Sequence, residues 1–186
     1  NMSLRKCLEF QEIYSDFKIA VNLSAALLTN DDIVDVVTSA VKIWNIEPSS
    51  LVLEVTEGAM MKNPALSMDI LKKLDTFGVG ISIDDFGTGY SSLSYLQKFP
   101  IHELKIDKSF VIGLHDKSNN YPIVNATIAM AHDLGMTVVA EGVEELHVLK
   151  LLEKLETRIQ DSNKYYIKLS ESEVRNLNML LDKLRG

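Results

Sequence analysis

Apolar and polar positions along this chain switch repeatedly between the spacing of a helix and that of a short buried strand. Leu4 to Tyr14 has helical apolar spacing and leads into Lys18 to Leu23, Lys-Ile-Ala-Val-Asn-Leu, which reads as a strand. Asn30 to Asp32 supplies a capping, acidic start to a helix whose Ile33, Val36, Val37, Ala40, Val41 and Trp44 share one apolar face. The turn at Asn45 to Pro48 ends it, and Leu51 to Val55 predicts a second strand. Asn63 as N-cap with Pro64 in the first helical position opens a helix through Leu71, Leu74 and Phe77, closed by Gly78. Gly80 to Asp84 predicts the third strand. After a Gly-rich turn, Phe86 to Ser92, come a short helix to Phe99 and a strand through Leu104 and Ile106. A long helix from Asn119 to Leu134 then ends at Gly135, followed by a Val-rich strand, Thr137 to Ala140, and a helix from Glu145 to Leu155.

Five strands thus alternate with helices, and no hairpin signal joins any pair. That pattern predicts an α/β fold of parallel strands linked by right-handed helical crossovers. An open doubly wound sheet and a closed TIM-like (β/α) barrel both satisfy it. No Gly-rich dinucleotide fingerprint follows a strand, which favours the barrel. A barrel of this kind needs about 250 residues, so 186 residues are expected to hold an incomplete one, without its first strand or strands. Residues 1–160 read as the barrel domain. Residues 161–186 read as a strand-helix tail, part of that domain or an extension of it. There Tyr165 to Leu169 is strand-like, and Ser170 with Glu173 forms a capping box for a helix through Val174, Leu177, Leu181 and Leu184.

Composition narrows the partners. With 46% hydrophobic and 24% charged residues, the chain can bury a sizeable core. No apolar run reaches the roughly 18 residues of a spanning helix, and the N-terminus lacks a signal-peptide pattern, so a cytoplasmic location without membrane contact is expected. The single Cys7, within an apolar helical pattern, reads as a buried, inert thiol. A formal net charge of −7 argues against a polymeric nucleic acid, whose binding needs a basic face that releases counterions. A small phosphate ester remains compatible if divalent cations lie between its oxygens and the protein's carboxylates.

The candidate chemistry is positional. Asn22, Glu54, Asp84 with Asp85, Lys105 with Asp107, and Glu141 all fall at or near the carboxyl ends of successive predicted strands. In a parallel barrel those ends form one rim, where active sites are built. Carboxylates crowded there repel one another, and the usual remedies are raised pKa values or bound divalent cations. With oxygen donors and no His or Cys at these positions, the expected metal is hard: Mg²⁺, Mn²⁺ or Ca²⁺ rather than zinc. Singly, each residue has an ordinary use. Glu54 could cap a turn or pair with a lysine, Asn22 suits turns, and Lys105 could simply neutralise acids. Glu57, Glu103, Asp107 and Glu144 fit solvated or hydrogen-bonding positions. The adjacent acids Asp84-Asp85 before Phe-Gly-Thr-Gly are poorly explained by local structure, and clustering on one rim points to a site.

Five segments carry a resemblance. Val-Asn-Leu-Ser (21–24), Glu-Val-Thr-Glu (54–57), Asp-Asp-Phe-Gly-Thr-Gly-Tyr-Ser-Ser-Leu (84–93), Leu-Lys-Ile-Asp (104–107) and Ala-Glu-Gly-Val-Glu (140–144) resemble, in order and spacing, the signature blocks of the EAL family. The match runs from about Leu4 to Leu155. It implies a modified TIM-type barrel that uses two Mg²⁺ or Mn²⁺ ions to hydrolyse cyclic di-GMP to linear pGpG. On that resemblance Asn22, Glu54 and Asp84 are metal ligands, Asp84 in the bridging place, with Asp85 and Glu141 serving the second metal. Lys105 orients or helps deprotonate the attacking water, and Asp107 and Gln160 face the substrate. Glu57 anchors the Phe86 to Ser92 loop, which in the family couples metal binding to a dimer interface, and Glu144 is a supporting acid. A homodimer and joined GGDEF or sensory domains are the implied partners.

Two departures are visible. The family's first strand, with its Glu-Ala-Leu block, lies upstream of the helix with which this sequence starts, and the expected Gly-Tyr after Gln160 is replaced by Asp161-Ser162. These leave a catalytically silent module, a cyclic di-GMP receptor or protein-interaction domain, as the alternative to the enzyme.

Overall fold

A computed structural model of the chain describes residues 2–89 and 93–160, with side chains through 155. The strand-helix reading of 161–186 and the Gln160 side chain lie outside the described residues. The elements in chain order are α1 (Met2–Gln11), β1 (Ile19–Asn22), α2 (Asp32–Ile43), β2 (Leu51–Thr56), α3 (Glu57–Met61), α4 (Pro64–Phe77) and β3 (Gly80–Phe86). They continue as α5 (Leu93–Leu96), β4 (Glu103–Ile106), α6 (Lys108–Val111), α7 (Asn120–Asp133), β5 (Thr137–Ala140) and α8 (Leu146–Gln160).

The five strands form one parallel sheet in the order β1-β2-β3-β4-β5, as the alternation of strands and helices predicts. Each strand pairs with its successor in sequence, which is how a (β/α) barrel is wound. Among the described residues the sheet is an arc of such a barrel, with β1 and β5 at its edges.

Strand periodicity divides the arc into two faces. Leu51, Leu53 and Val55 on β2, Ile81 and Ile83 on β3, and Leu104 and Ile106 on β4 are buried against a helical layer that contributes Ile70, Leu71, Leu74, Val124 and Ile128. Burying each such side chain stabilises by about 1.5–3 kcal/mol, so this layer dominates the fold energetically. The opposite face carries the register row Asn22, Glu54, Ser82, Glu103 and Thr137, one residue from each strand.

Several local expectations hold. Asn63 accepts a hydrogen bond from the Leu66 N–H at 3.4 Å, Pro64 starts α4, and Gly78 closes it in the left-handed conformation. Cys7 is fully buried. Others need correction. The first helix ends at Gln11 rather than Tyr14, because the Gln11 amide turns back onto the Phe17 carbonyl at 2.9 Å and Tyr14 is exposed. Val36 is not on the packed face of α2 but 60% exposed. The buried stripe runs Ile33, Val37, Val41, strictly at i, i+4, and Val36 falls on its flank. The short helices α3 and α6 were not foreseen, since four or five residues are too few to show a period. Their signal is in their caps, Thr56 and Asp107. No helix among the described residues is long and apolar enough to cross a membrane.

Candidate functional site

Lys105 is the hub of the carboxyl rim. It projects from β4 with its ammonium 2.7 Å from Glu141 Oε1, 2.8 Å from Glu54 Oε1 and 2.9 Å from Asp84 Oδ1. It thereby gathers acids from β2, β3 and the end of β5 around one point. Its side chain is 13% exposed, so these contacts are only weakly screened by solvent. Burial opposes the charge on Lys105, but its close contacts with Glu141, Glu54 and Asp84 outweigh it and push the ammonium above the ordinary lysine range.

The paired acids owe their arrangement to a bulge. Ile83 pairs with Leu104 and Phe86 with Ile106, so Asp84 and Asp85 together stand opposite the single residue Lys105. In a regular strand two neighbours point to opposite faces. Here Asp85 takes a left-handed φ of 54°, and the extra residue turns both carboxylates toward the rim. As a result one carboxylate oxygen each from Asp84, Asp85 and Glu141 lie within 4.8 Å of one another. Burial first, then the charges of Asp84, Asp107 and Glu141, push the Asp85 carboxyl above its ordinary range, while Lys105 pulls it back.

This donor set fits a hard divalent cation. It consists of carboxylate oxygens from three residues, two on β3 and one just after β5, and oxygen donors are what such ions take. Asp84 Oδ1 is buried and stands 2.9 Å from the Lys105 ammonium. Glu54, Asp84, Asp85 and Glu141 outnumber the single ammonium of Lys105, and a divalent cation would offset the excess negative charge.

The remaining candidates are less tightly gathered. Asn22 is exposed at the end of β1, in register with Glu54. Glu57 is buried at the start of α3, where its Oε1 accepts a hydrogen bond from the Gly87 N–H at 3.2 Å; its Oε2 has no hydrogen-bond partner among the described residues. Asp107 caps α6, its Oδ1 accepting from the Ser109 N–H at 2.9 Å. Hydrogen bonds from Ser109 hold the Asp107 carboxyl below its usual range. Glu144 is exposed in the loop between β5 and α8.

Sequence reasoning missed one polar pair on the same face. Ser82, fully buried, donates to Glu103 Oε1 at 3.0 Å, beneath Asp84 and Lys105 on their own strands. The alternation of Gly-Ile-Ser-Ile-Asp places Ser82 on the face of Asp84, which is the signal that was available.

Comparison with known proteins gives this geometry its context. The family model for the EAL domain matches residues 2–160. The chain is 49% identical over 131 residues to the bifunctional diguanylate cyclase/cyclic di-GMP phosphodiesterase MucR of Pseudomonas aeruginosa, covering 70% of this chain and 19% of that protein. It is 43% identical over 135 residues to the cyclic di-GMP phosphodiesterase NbdA of the same organism, covering 73% of this chain and 17% of that protein. The chain therefore spans about a fifth of the length of these curated relatives. Among solved structures, a c-di-GMP complex of the PaMucR phosphodiesterase superposes with a TM-score of 0.77 at 44% identity, over 83% of this chain and 68% of that one. The EAL domain of Mycobacterium smegmatis DcpA gives 0.78 at 33% identity, over 83% and 70%.

Proposed function

This chain belongs to the EAL family, and from that premise we propose that it carries out metal-dependent hydrolysis of cyclic di-GMP to linear pGpG. The observation that carries the proposal is the convergence of Glu54, Asp84 and Glu141 on Lys105, with Asp85 turned to the same rim. Its relatives MucR and NbdA are named for cyclic di-GMP phosphodiesterase activity, and the PaMucR structure is a c-di-GMP complex.

In this reading Asn22, Glu54, Asp84, Asp85 and Glu141 hold Mg²⁺ or Mn²⁺. Two divalent ions, when bound, acidify a water and neutralise charge on the oxygens of an in-line displacement. The chain's own residues do the rest. Asp84 stands between the groups that β2 and β5 contribute, the place for a shared ligand. Lys105, at the centre of these acids, orients the attacking water or helps deprotonate it. Glu57 steadies the loop after β3 through the Gly87 N–H, and Asp107 is assigned to the dinucleotide.

For the whole protein we propose residues 1–160 as the barrel unit, a homodimer, and a cyclase-type partner domain of the sort MucR's name implies. The test is incubation with cyclic di-GMP and Mg²⁺ or Mn²⁺ while following pGpG by chromatography. Linear product supports the enzyme. Calorimetric binding of the dinucleotide without any product would replace the enzyme with a receptor.

A further inference from the structure

We infer that α6, the four-residue helix that follows β4, is the spacer that fixes Asp84 and Asp85 against Glu141, with Gly87, Phe110 and Gly142 as positioning residues. The inference rests on the metal-site reading above. Those three carboxylates come from β3 and from the end of β5, strands that are not neighbours, because β4 lies between them. What fills the space above β4 therefore sets how far apart the carboxylates stand.

That space holds α6. Asp107 follows β4 directly and caps the helix, so α6 starts at the strand's carboxyl end. On one side the ring of Phe110 meets Gly87, in the loop that continues from the two aspartates. Gly87 has φ 98°, and a Cβ on it would lie 2.8 Å from Phe110 Cε2 and 3.1 Å from Cζ. On the other side Lys108 meets Gly142, the residue directly after Glu141. Gly142 has φ 70°, and a Cβ there would lie 2.7 Å from Lys108 Cβ and 3.5 Å from its Cα. Neither contact leaves room for a methyl group. The Glu141 N–H also donates to the Ile106 carbonyl at 3.1 Å, tying the same stretch to the end of β4. Both acid-bearing loops are thus brought to closest approach on one short helix.

The test is a calorimetric Mn²⁺ titration of the wild-type chain and of Gly142→Ala, with thermal midpoints and cyclic di-GMP turnover measured alongside. The added methyl should push the Glu141 turn off Lys108 and weaken Mn²⁺ binding about ten- to a hundredfold, the range seen when groups that orient metal ligands are lost. Adding Lys108→Gly removes the atom that the methyl strikes and should recover most of the affinity. The left-handed φ stays unfavourable for alanine in both variants, so the recovery isolates the contact. Phe110→Leu withdraws the ring from Gly87 while keeping apolar bulk on α6, and should weaken Mn²⁺ binding with little change in midpoint. Wild-type binding that Gly142→Ala leaves intact, or a loss that Lys108→Gly does not repair, overturns the inference. Should Gly142→Ala fail to fold, unchanged Mn²⁺ affinity in Phe110→Leu overturns it instead. A wild-type chain that takes up no Mn²⁺ removes the site reading, and this one with it.

Discussion

The two faces of the sheet are built from the same five strands, residue by alternate residue, yet they follow opposite rules. On β4, Leu104 and Ile106 are sealed under helices, while Lys105 between them stands among Glu54, Asp84 and Glu141. The apolar face gains free energy from every group it takes from water. The polar face concentrates like charges that one ammonium only partly offsets, an arrangement that costs stability and that a cation would relieve. The difference teaches that stability and chemistry are separable here at the level of a single residue step, because the pleat sends neighbours in opposite directions.

Four substitutions test that separation, and the largest effect is expected on the polar face. Asp84→Ala should lower turnover of cyclic di-GMP about a thousandfold or more, since several kcal/mol of charge stabilisation depends on the metals it holds. Its thermal midpoint should be unchanged or raised, because one of the crowded acids is gone. Retained hydrolysis in that variant would contradict the site. On the apolar face, Leu104→Ala should cost about 2–5 kcal/mol by denaturant unfolding, the range for a large-to-small change at a fully buried position. A loss of activity in Leu104→Ala at temperatures where it remains folded would show that the two faces are not independent.

At the boundary between the faces, Asp107→Ala should cost about 1 kcal/mol through the lost cap of α6. Its pH dependence has a definite sign. The folded carboxyl is held below its usual range by Ser109, so the contribution is complete above the unfolded value of about 4 and is lost as pH falls through the folded one. The midpoint difference between wild type and Asp107→Ala should therefore be full at neutral pH and shrink in acid. A difference that grew with acid would reverse the assignment. Away from both faces, Lys73→Met removes a pair of exposed contacts to Asp69 and Asp31 and should leave midpoint and activity where they were.

Much of this architecture was legible in the chain. Asn63, Pro64 and Gly78 mark both ends of α4 because capping is settled by the residue and its immediate neighbours. The parallel order follows from alternation without hairpins, and the rim residues follow from where each apolar run stops. The errors were equally local in cause. Val36 looked like core because a helical stripe is read with tolerance on either side, whereas Ala40 and Trp44 pack partly against the core and Val36 stays exposed. The bulge at Asp85 was not legible, since nothing in Asp-Asp-Phe-Gly says which of two adjacent acids breaks the pairing.

The amino-acid sequence by itself determined which residues are strands, which ends of those strands carry charge, and to which family the chain belongs. Each of these depends on periodicity and order along one dimension. Only the tertiary structure decided that Lys105 reaches three acids at once, that Asp85 turns back to join Asp84, and that Gly87 and Gly142 both pack closely on α6. Those are distances between strands, fixed by sheet register and by the volume of the side chains packed between them, and no spacing along the chain encodes them.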